Sequence, residues 1–294
     1  MTDYSLLMPL PIILSTGSLY NLDIDSIMAI AAETGFEGVE AVVDWRWETH
    51  RPSHLERLIS RYNLPILAVH SPFLNMAIHG WPDEPIGRIK QSVALAETIG
   101  AKIVVVHPPE RWVRFQVAFS TPAYNKKISL PLPLAGWGAL GDWLWYDLAD
   151  FQTTTSVKIA VENMPCRPLG PFNLEPHHFA DLAELNHFAH LTLDTSHVGT
   201  RHTDLFDFYE RIKPKVAHIH LSNYNGREHR LLDDGVLPLA LFLQRLVADS
   251  YSGLVSLELN TFDLQAEDIP ALHRNLRASL EFCQQALADS VKTI

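Results

Sequence analysis

The sequence predicts an α/β fold, a (β/α)8 TIM barrel formed by one domain over residues 1–294. Three features predict it. Eight short apolar runs recur along 294 residues, helical stretches separate them, and no linker or composition break divides the chain. The runs are PIILST (11–16), FEGVEAVV (36–43), PILAVH (65–70), KIVVVH (102–107), VKIAVEN (157–163), HLTLD (190–194), KVAHIHL (215–221) and GLVSLEL (253–259). They are mostly continuous rather than alternating, as in parallel strands covered on both faces.

The intervening stretches carry helix signals. DIDSIMAIAAETG (23–35) opens on aspartates and closes on Gly35. PIGRIKQSVALAETIG (85–100) has Pro85 at its start and Gly100 past its end. LPLALFLQRLVADS (237–250) and IPALHRNLRASLEFCQQALADS (269–290) place apolar residues at helical spacing. An open doubly wound sheet is the main rival, but no Gly-x-Gly-x-x-Gly follows the first run. One insertion interrupts the alternation at about 108–135, after the fourth strand, and long loops of this kind serve as lids or interfaces.

Composition narrows the function. The chain has 34 acidic and 23 basic residues and a formal charge of −11. A negative body disfavours generic nucleic-acid or anionic-membrane binding. The cations Arg111, Arg114, Lys126 and Lys127 in the insertion are either a local anion clamp or a solvated or subunit-facing surface. Cys166 and Cys283 stand far apart in no paired motif, so neither a disulfide framework nor a thiolate zinc site is expected, and the cytoplasm is the simplest location. The uncharged stretch between Asp3 and Asp23 contains Pro9 and Pro11 and has no basic front end, which fits neither a signal peptide nor a spanning helix.

The chemistry lies at the strand ends. The third run ends at His70, the fourth at His107, the fifth near Glu162 and the sixth at Asp194; the seventh ends near His220 and the eighth near Glu258. Asp, Glu and His fill one position in six of the whole chain, so six successive hits have a chance probability on the order of 10⁻⁵ to 10⁻³, depending on the register allowed. In a barrel these ends converge on one face. So many ionisable groups in one bowl need compensation, and a divalent cation supplies it. Imidazole with carboxylate suits zinc or manganese first, with magnesium, cobalt or iron also admitted. Each residue has a plain alternative: His70 or His107 as a hydrogen-bonded barrel residue, Glu162 as a helix cap, Asp194 as a cap of the turn before His197. His218 is expected on the opposite side of its strand from His220, facing the helices.

These motifs, GFEGVEA, VENMP, LDTSH, HIHLSN and LELN in order, resemble the xylose-isomerase-like TIM-barrel superfamily, which holds sugar isomerases and epimerases together with the endonuclease IV type of AP endonuclease. The epimerase branch implies one metal held by Glu162, Asp194, His220 and Glu258, with the two glutamates moving the substrate proton and His197 touching substrate. The nuclease branch implies three zinc ions, with His70, His107, His197 and His229 as further ligands. Where that branch has a ligating aspartate before the last histidine, this chain has Arg227, which cannot ligate a metal and reads as a substrate anchor or a surface residue. His70 and His107 would then join His197 and Arg227 in binding substrate.

The expected function is therefore a divalent-metal-dependent isomerase or epimerase acting on a small sugar, sugar phosphate or keto-acid through an enediolate. The alternatives are a zinc-dependent phosphoester hydrolase and a non-catalytic small-ligand barrel. The expected partner is a small-molecule substrate, not nucleic acid or membrane. The aromatic segment GWGALGDWLWYDLADF (136–151) is available as an apolar interface for a homo-oligomer.

Overall fold

Residues 10–73, 76–121, 124–133, 136–169 and 172–291 are described by a computed structural model. Eight parallel strands close into a barrel. In chain order they are Ile12–Ser15, Val39–Val42, Ile66–His70, Ile103–Val106, Lys158–Glu162, Leu191–Asp194, Val216–Leu221 and Leu254–Leu257. Each pairs with its sequence neighbour, and the first closes on the eighth through Ile12↔Val255 and Leu14↔Leu257. All eight lie inside the expected runs.

The helices follow their local signals. Helix Ile24–Thr34 is capped by Asp23, whose carboxylate accepts from Ser26 N at 2.9 Å, and it ends at Gly35 with φ 99°, the left-handed position that glycine takes without a Cβ clash. Helix Pro85–Ile99 starts on proline, and helices Leu239–Ala248 and Ile269–Val291 fall where the apolar spacing puts them. Outward-facing strand residues such as Ile219, Leu221 and Val104 pack with the helices in one large core, while Ile13, Ala68, Ile103, Val105 and Ala160 form a separate apolar layer inside the barrel. That layer sits one alternation below the charged residues of the same strands, because side chains two apart share a face.

The insertion after the fourth strand is a two-stranded antiparallel ribbon, Trp112–Thr121 with Tyr124–Pro133. The cations Arg114, Lys126 and Lys127 carry side chains outside the described set, whereas Arg111 donates from Nε to His177 O at 2.8 Å. The aromatic segment that follows turns largely inward. Trp143, Leu144 and Leu148 are buried, and Trp137 and Trp145 pack on Phe179; Tyr146 remains exposed. Most of its apolar surface thus completes this chain's own core. Cys166 and Cys283 are both free and buried. Among the described residues no helix is long and apolar enough to cross a membrane.

Candidate metal centre

The C-terminal strand ends bring four predicted residues together. Ligand atoms of Glu162, Asp194, His220 and Glu258 all lie within 4.8 Å of one another. The barrel register explains this. Asp194 pairs with His220 across the sixth and seventh strands, Thr192 pairs with Glu162, and Glu258 follows immediately after Leu257, the partner of Leu221. His220 Nδ1 is 2.8 Å from Glu258 Oε2, 3.4 Å from Glu162 Oε1 and 4.0 Å from Asp194 Oδ2.

Asp194 does two things with its two oxygens. Oδ1 accepts from His197 N at 3.0 Å and from Ser196 Oγ at 2.9 Å, capping the short helix Thr195–Thr200. Oδ2 is buried and has no hydrogen-bond partner. The cap and the ligand readings of this residue are therefore compatible. Asn163 steadies the same strand end: its Oδ1 accepts from Asp194 N at 2.8 Å and its Nδ2 donates to Asp194 O at 3.1 Å. Glu162 caps no helix. Its neighbours are imidazoles, with His107 Nε2 2.9 Å and His70 Nε2 3.7 Å from Oε2, and His197 Nδ1 3.3 Å from Oε1.

His70, His107 and Glu162 form a second set of potential ligands, and Asp194, His197 and His229 a third. His70 Nδ1 donates to Ser71 O and His197 Nδ1 to Asn163 O, each at 2.8 Å. A backbone oxygen only accepts, so both rings carry a proton on Nδ1 and turn Nε2 toward the carboxylates. His197 Nε2 stands 3.6 Å and His229 Nδ1 3.9 Å from Asp194 Oδ2. His229 reaches that position from the loop after the seventh strand with φ 58°.

The electrostatics follow from crowding. Burial pushes the carboxyls of Glu162 and Glu258 up, but His220 and other imidazoles more than reverse this, holding Glu162 well below the ordinary range and Glu258 at about 2. Burial opposes charge on His220 as well, yet Glu40, Glu258 and Glu162 raise it well above 6.5. His107 goes the other way, because its burial outweighs Glu162. A cation fits this donor set. Glu162 Oε2, Asp194 Oδ2 and His220 Nδ1 are all buried without a well-angled hydrogen bond, although His107 comes near the first and Glu258 near the last. Orphaned buried acceptors of this kind are costly unless a ligand satisfies them.

Above these atoms lies a cavity of about 460 Å³. His70, His107, His197, His229 and Glu258 line it beside an apolar wall that includes Phe73, Met164, Pro165 and Pro176, while Glu162, Asp194 and His220 are buried behind that lining. Arg227 is exposed and is not among the lining residues; Arg167 is, with Nη1 3.3 Å from Glu228 Oε1. The cation expected from one loop is thus presented by another, because the loop turns at Gly226 (φ 99°) and leaves Arg227 outward. His177 also lines the cavity, and its burial lowers it to about 3, so it stays neutral.

Two further residues correct the sequence reading. His218 does not face the helices: two positions from His220, it shares that residue's side of the strand and points into the barrel, fully buried. There it meets Glu40, a functional residue that does not stand at a strand end but within its strand, Val39–Val42. Glu40 Oε2 is 2.5 Å from His218 Nε2 and 3.1 Å from His220 Nε2, and Oε1 accepts from Ser15 Oγ at 3.1 Å. The visible signal was a second glutamate in the run FEGVEAVV, flanked on both sides by apolar residues.

Comparison with known proteins agrees with this architecture. A family model described as a xylose isomerase-like TIM barrel matches residues 28–286. An uncharacterized protein of Mycobacterium leprae is 30% identical over 278 residues, covering 86% of this chain and 90% of its own. Among solved structures, a D-tagatose 3-epimerase-like protein is similar with a TM-score of 0.68 at 18% identity, covering 96% of this chain and 99% of its own. An AP endonuclease, family 2, from Brucella melitensis is similar with a TM-score of 0.62 at 16% identity, over 86% and 93% of the two chains. At such identities the structural likeness speaks for the fold alone.

Proposed function

This chain belongs to the xylose isomerase-like TIM barrel family, and from that premise and the geometry of its bowl we propose that it is a divalent-metal-dependent isomerase or epimerase of a small hydroxy-carbonyl compound, such as a sugar. The observation that carries the reading is the convergence of three orphaned buried atoms, Glu162 Oε2, Asp194 Oδ2 and His220 Nδ1, with Glu258 under a small cavity. Zinc or manganese suits this nitrogen and oxygen set. Held by these four residues, the cation supplies Lewis-acid polarisation of a substrate carbonyl and hydroxyl.

The protein's own groups do the proton work. Glu162 and Glu258 come from the fifth and eighth strands and flank Asp194 and His220 on the sixth and seventh. Two carboxylates at opposite edges of one cluster suit removal of a carbon-bound proton on one face and its return on the other. Both are held ionised by the surrounding imidazoles, so either can accept the carbon-bound proton, and return on the other face follows once the second carboxylate has taken up a proton from a substrate hydroxyl or from water. His197, its Nδ1 fixed on Asn163 O, offers Nε2 to a substrate oxygen. The cavity volume suits a small ligand. The similar D-tagatose 3-epimerase-like protein makes a ketose the first substrate class to try.

The test is exchange of carbon-bound hydrogen in D₂O for a panel of ketoses with manganese- or zinc-loaded protein. Wild type incorporates deuterium next to the carbonyl and Glu258→Gln loses this by at least about 10²-fold; undiminished exchange in that variant would overturn the assignment. A second reading, metal-assisted phosphoester hydrolysis, is favoured by the two further ligand sets around His70, His107, His197 and His229. Elemental analysis separates the two: one metal per chain supports isomerisation, and three support hydrolysis.

A further inference from the structure

We infer that Glu40 is a positioning residue for the metal ligand His220, fixing its tautomer from across the barrel; this rests on the metal reading above. An imidazole that ligates a metal needs one bare nitrogen, and the partner of the other nitrogen decides which one that is. His220 Nδ1 faces Glu258, Glu162 and Asp194, and its Nε2 lies 3.1 Å from Glu40 Oε2. An ionised carboxylate only accepts, so Nε2 donates to Glu40, and Nδ1, which faces the three carboxylates, is the nitrogen left to give its lone pair to a metal once a cation displaces its proton.

The neighbouring rings mark how unusual this is. His70 and His197 are fixed by backbone carbonyls and through Nδ1. His220 is fixed by a side-chain carboxylate and through Nε2. A carboxylate partner also strengthens the ring as a metal donor, more than a neutral carbonyl does. Glu40 is itself built in place. Its strand pairs with the first, where Ser15 is its register neighbour and donates to Oε1. His218 holds Oε2 from below at 2.5 Å, with its ring 5.0 Å from that of His220 and nearly perpendicular to it. The same oxygen therefore receives two imidazole protons.

The test is metal affinity, measured without turnover. Metal-free full-length protein is titrated with Mn²⁺ and, by chelator competition, with Zn²⁺. Glu40→Ala should weaken binding about 10- to 100-fold, and Glu40→Gln, which keeps the volume and one acceptor oxygen, about 10-fold or less. Side-chain ¹⁵N spectra of the zinc-loaded protein give the independent signature: His220 keeps its proton on Nε2, hydrogen-bonded to Glu40, in the wild type, and that Nε2 resonance shifts or is lost in Glu40→Ala. If either variant folds with a lowered melting temperature yet binds metal as tightly as wild type, Glu40 is structural and the inference fails while the metal reading stands. If wild type itself binds neither metal, the metal reading fails and takes the inference with it.

Discussion

Glu40 and Asp194 are both carboxylates with no exposure in the same barrel interior, and their surroundings treat them differently. Both oxygens of Glu40 are engaged, by Ser15 on one side and by two imidazoles on the other. Asp194 has one oxygen engaged as a helix cap and one with no partner. Glu162 resembles Asp194, since its Oε2 has only poorly angled imidazole neighbours. The difference teaches how to read a buried acid. One that is fully hydrogen-bonded organises its neighbours, and one left with a bare oxygen in a dry site is set up for an outside partner.

The sharpest way to break this comparison is Asp194→Asn. The amide keeps the shape and the cap but removes the charge from the orphaned oxygen. Metal affinity and deuterium exchange should both fall by roughly 10³-fold, checked by calorimetry and NMR. Retained affinity would show that the bare oxygen is not a ligand. Next in size is Ile13→Ala, in the apolar layer inside the barrel. It should cost about 3 kcal/mol of stability in denaturant melts with metal affinity unchanged, because none of the candidate ligands lies on the first strand. A coupled loss of affinity would mean that the two layers are not independent.

The smallest effect concerns His177, a cavity ring opposed by other imidazoles rather than held by a carboxylate. Its folded value of about 3 lies below its unfolded value of 6.5. The folded form thus binds fewer protons than the unfolded form between these values. Its contribution to stability is present above pH 6.5 and is lost as pH falls toward 3, at up to about 1 kcal/mol per pH unit. His177→Gln should make stability less steeply pH-dependent between pH 6.5 and 5, measured by chemical denaturation at each pH. An unchanged slope would show that the ring is not buried in its neutral form.

Much of the fold was legible because its signals are local. A run such as KIVVVH declares a buried strand by composition, and Asp23 and Gly35 declare a helix by their own backbone preferences. The convergence of Glu162, Asp194, His220 and Glu258 was legible too, since a barrel carries all strand ends to one face. Glu40 was missed because attention to strand ends ignores a charge placed earlier in its run. His218 was misplaced although the two-residue period of a strand already put it beside His220. The substitution of Arg167 for Arg227 at the cavity had no local signal, because loop paths depend on what they pack against.

By itself the sequence determined the eight strands, their helices and the identity of the residues at the strand ends. These follow from apolar periodicity and capping, which act over a few residues. Only the tertiary structure decided which atoms of those residues remain free. Glu40 and His220 are 180 positions apart in the chain, and their hydrogen bond exists only because the barrel closes. Closure also brings His220 Nδ1 among Glu258, Glu162 and Asp194 and leaves Asp194 Oδ2 without a hydrogen bond. Hydrogen-bond satisfaction in a buried site is a property of the whole surrounding shell, and no stretch of sequence contains that shell.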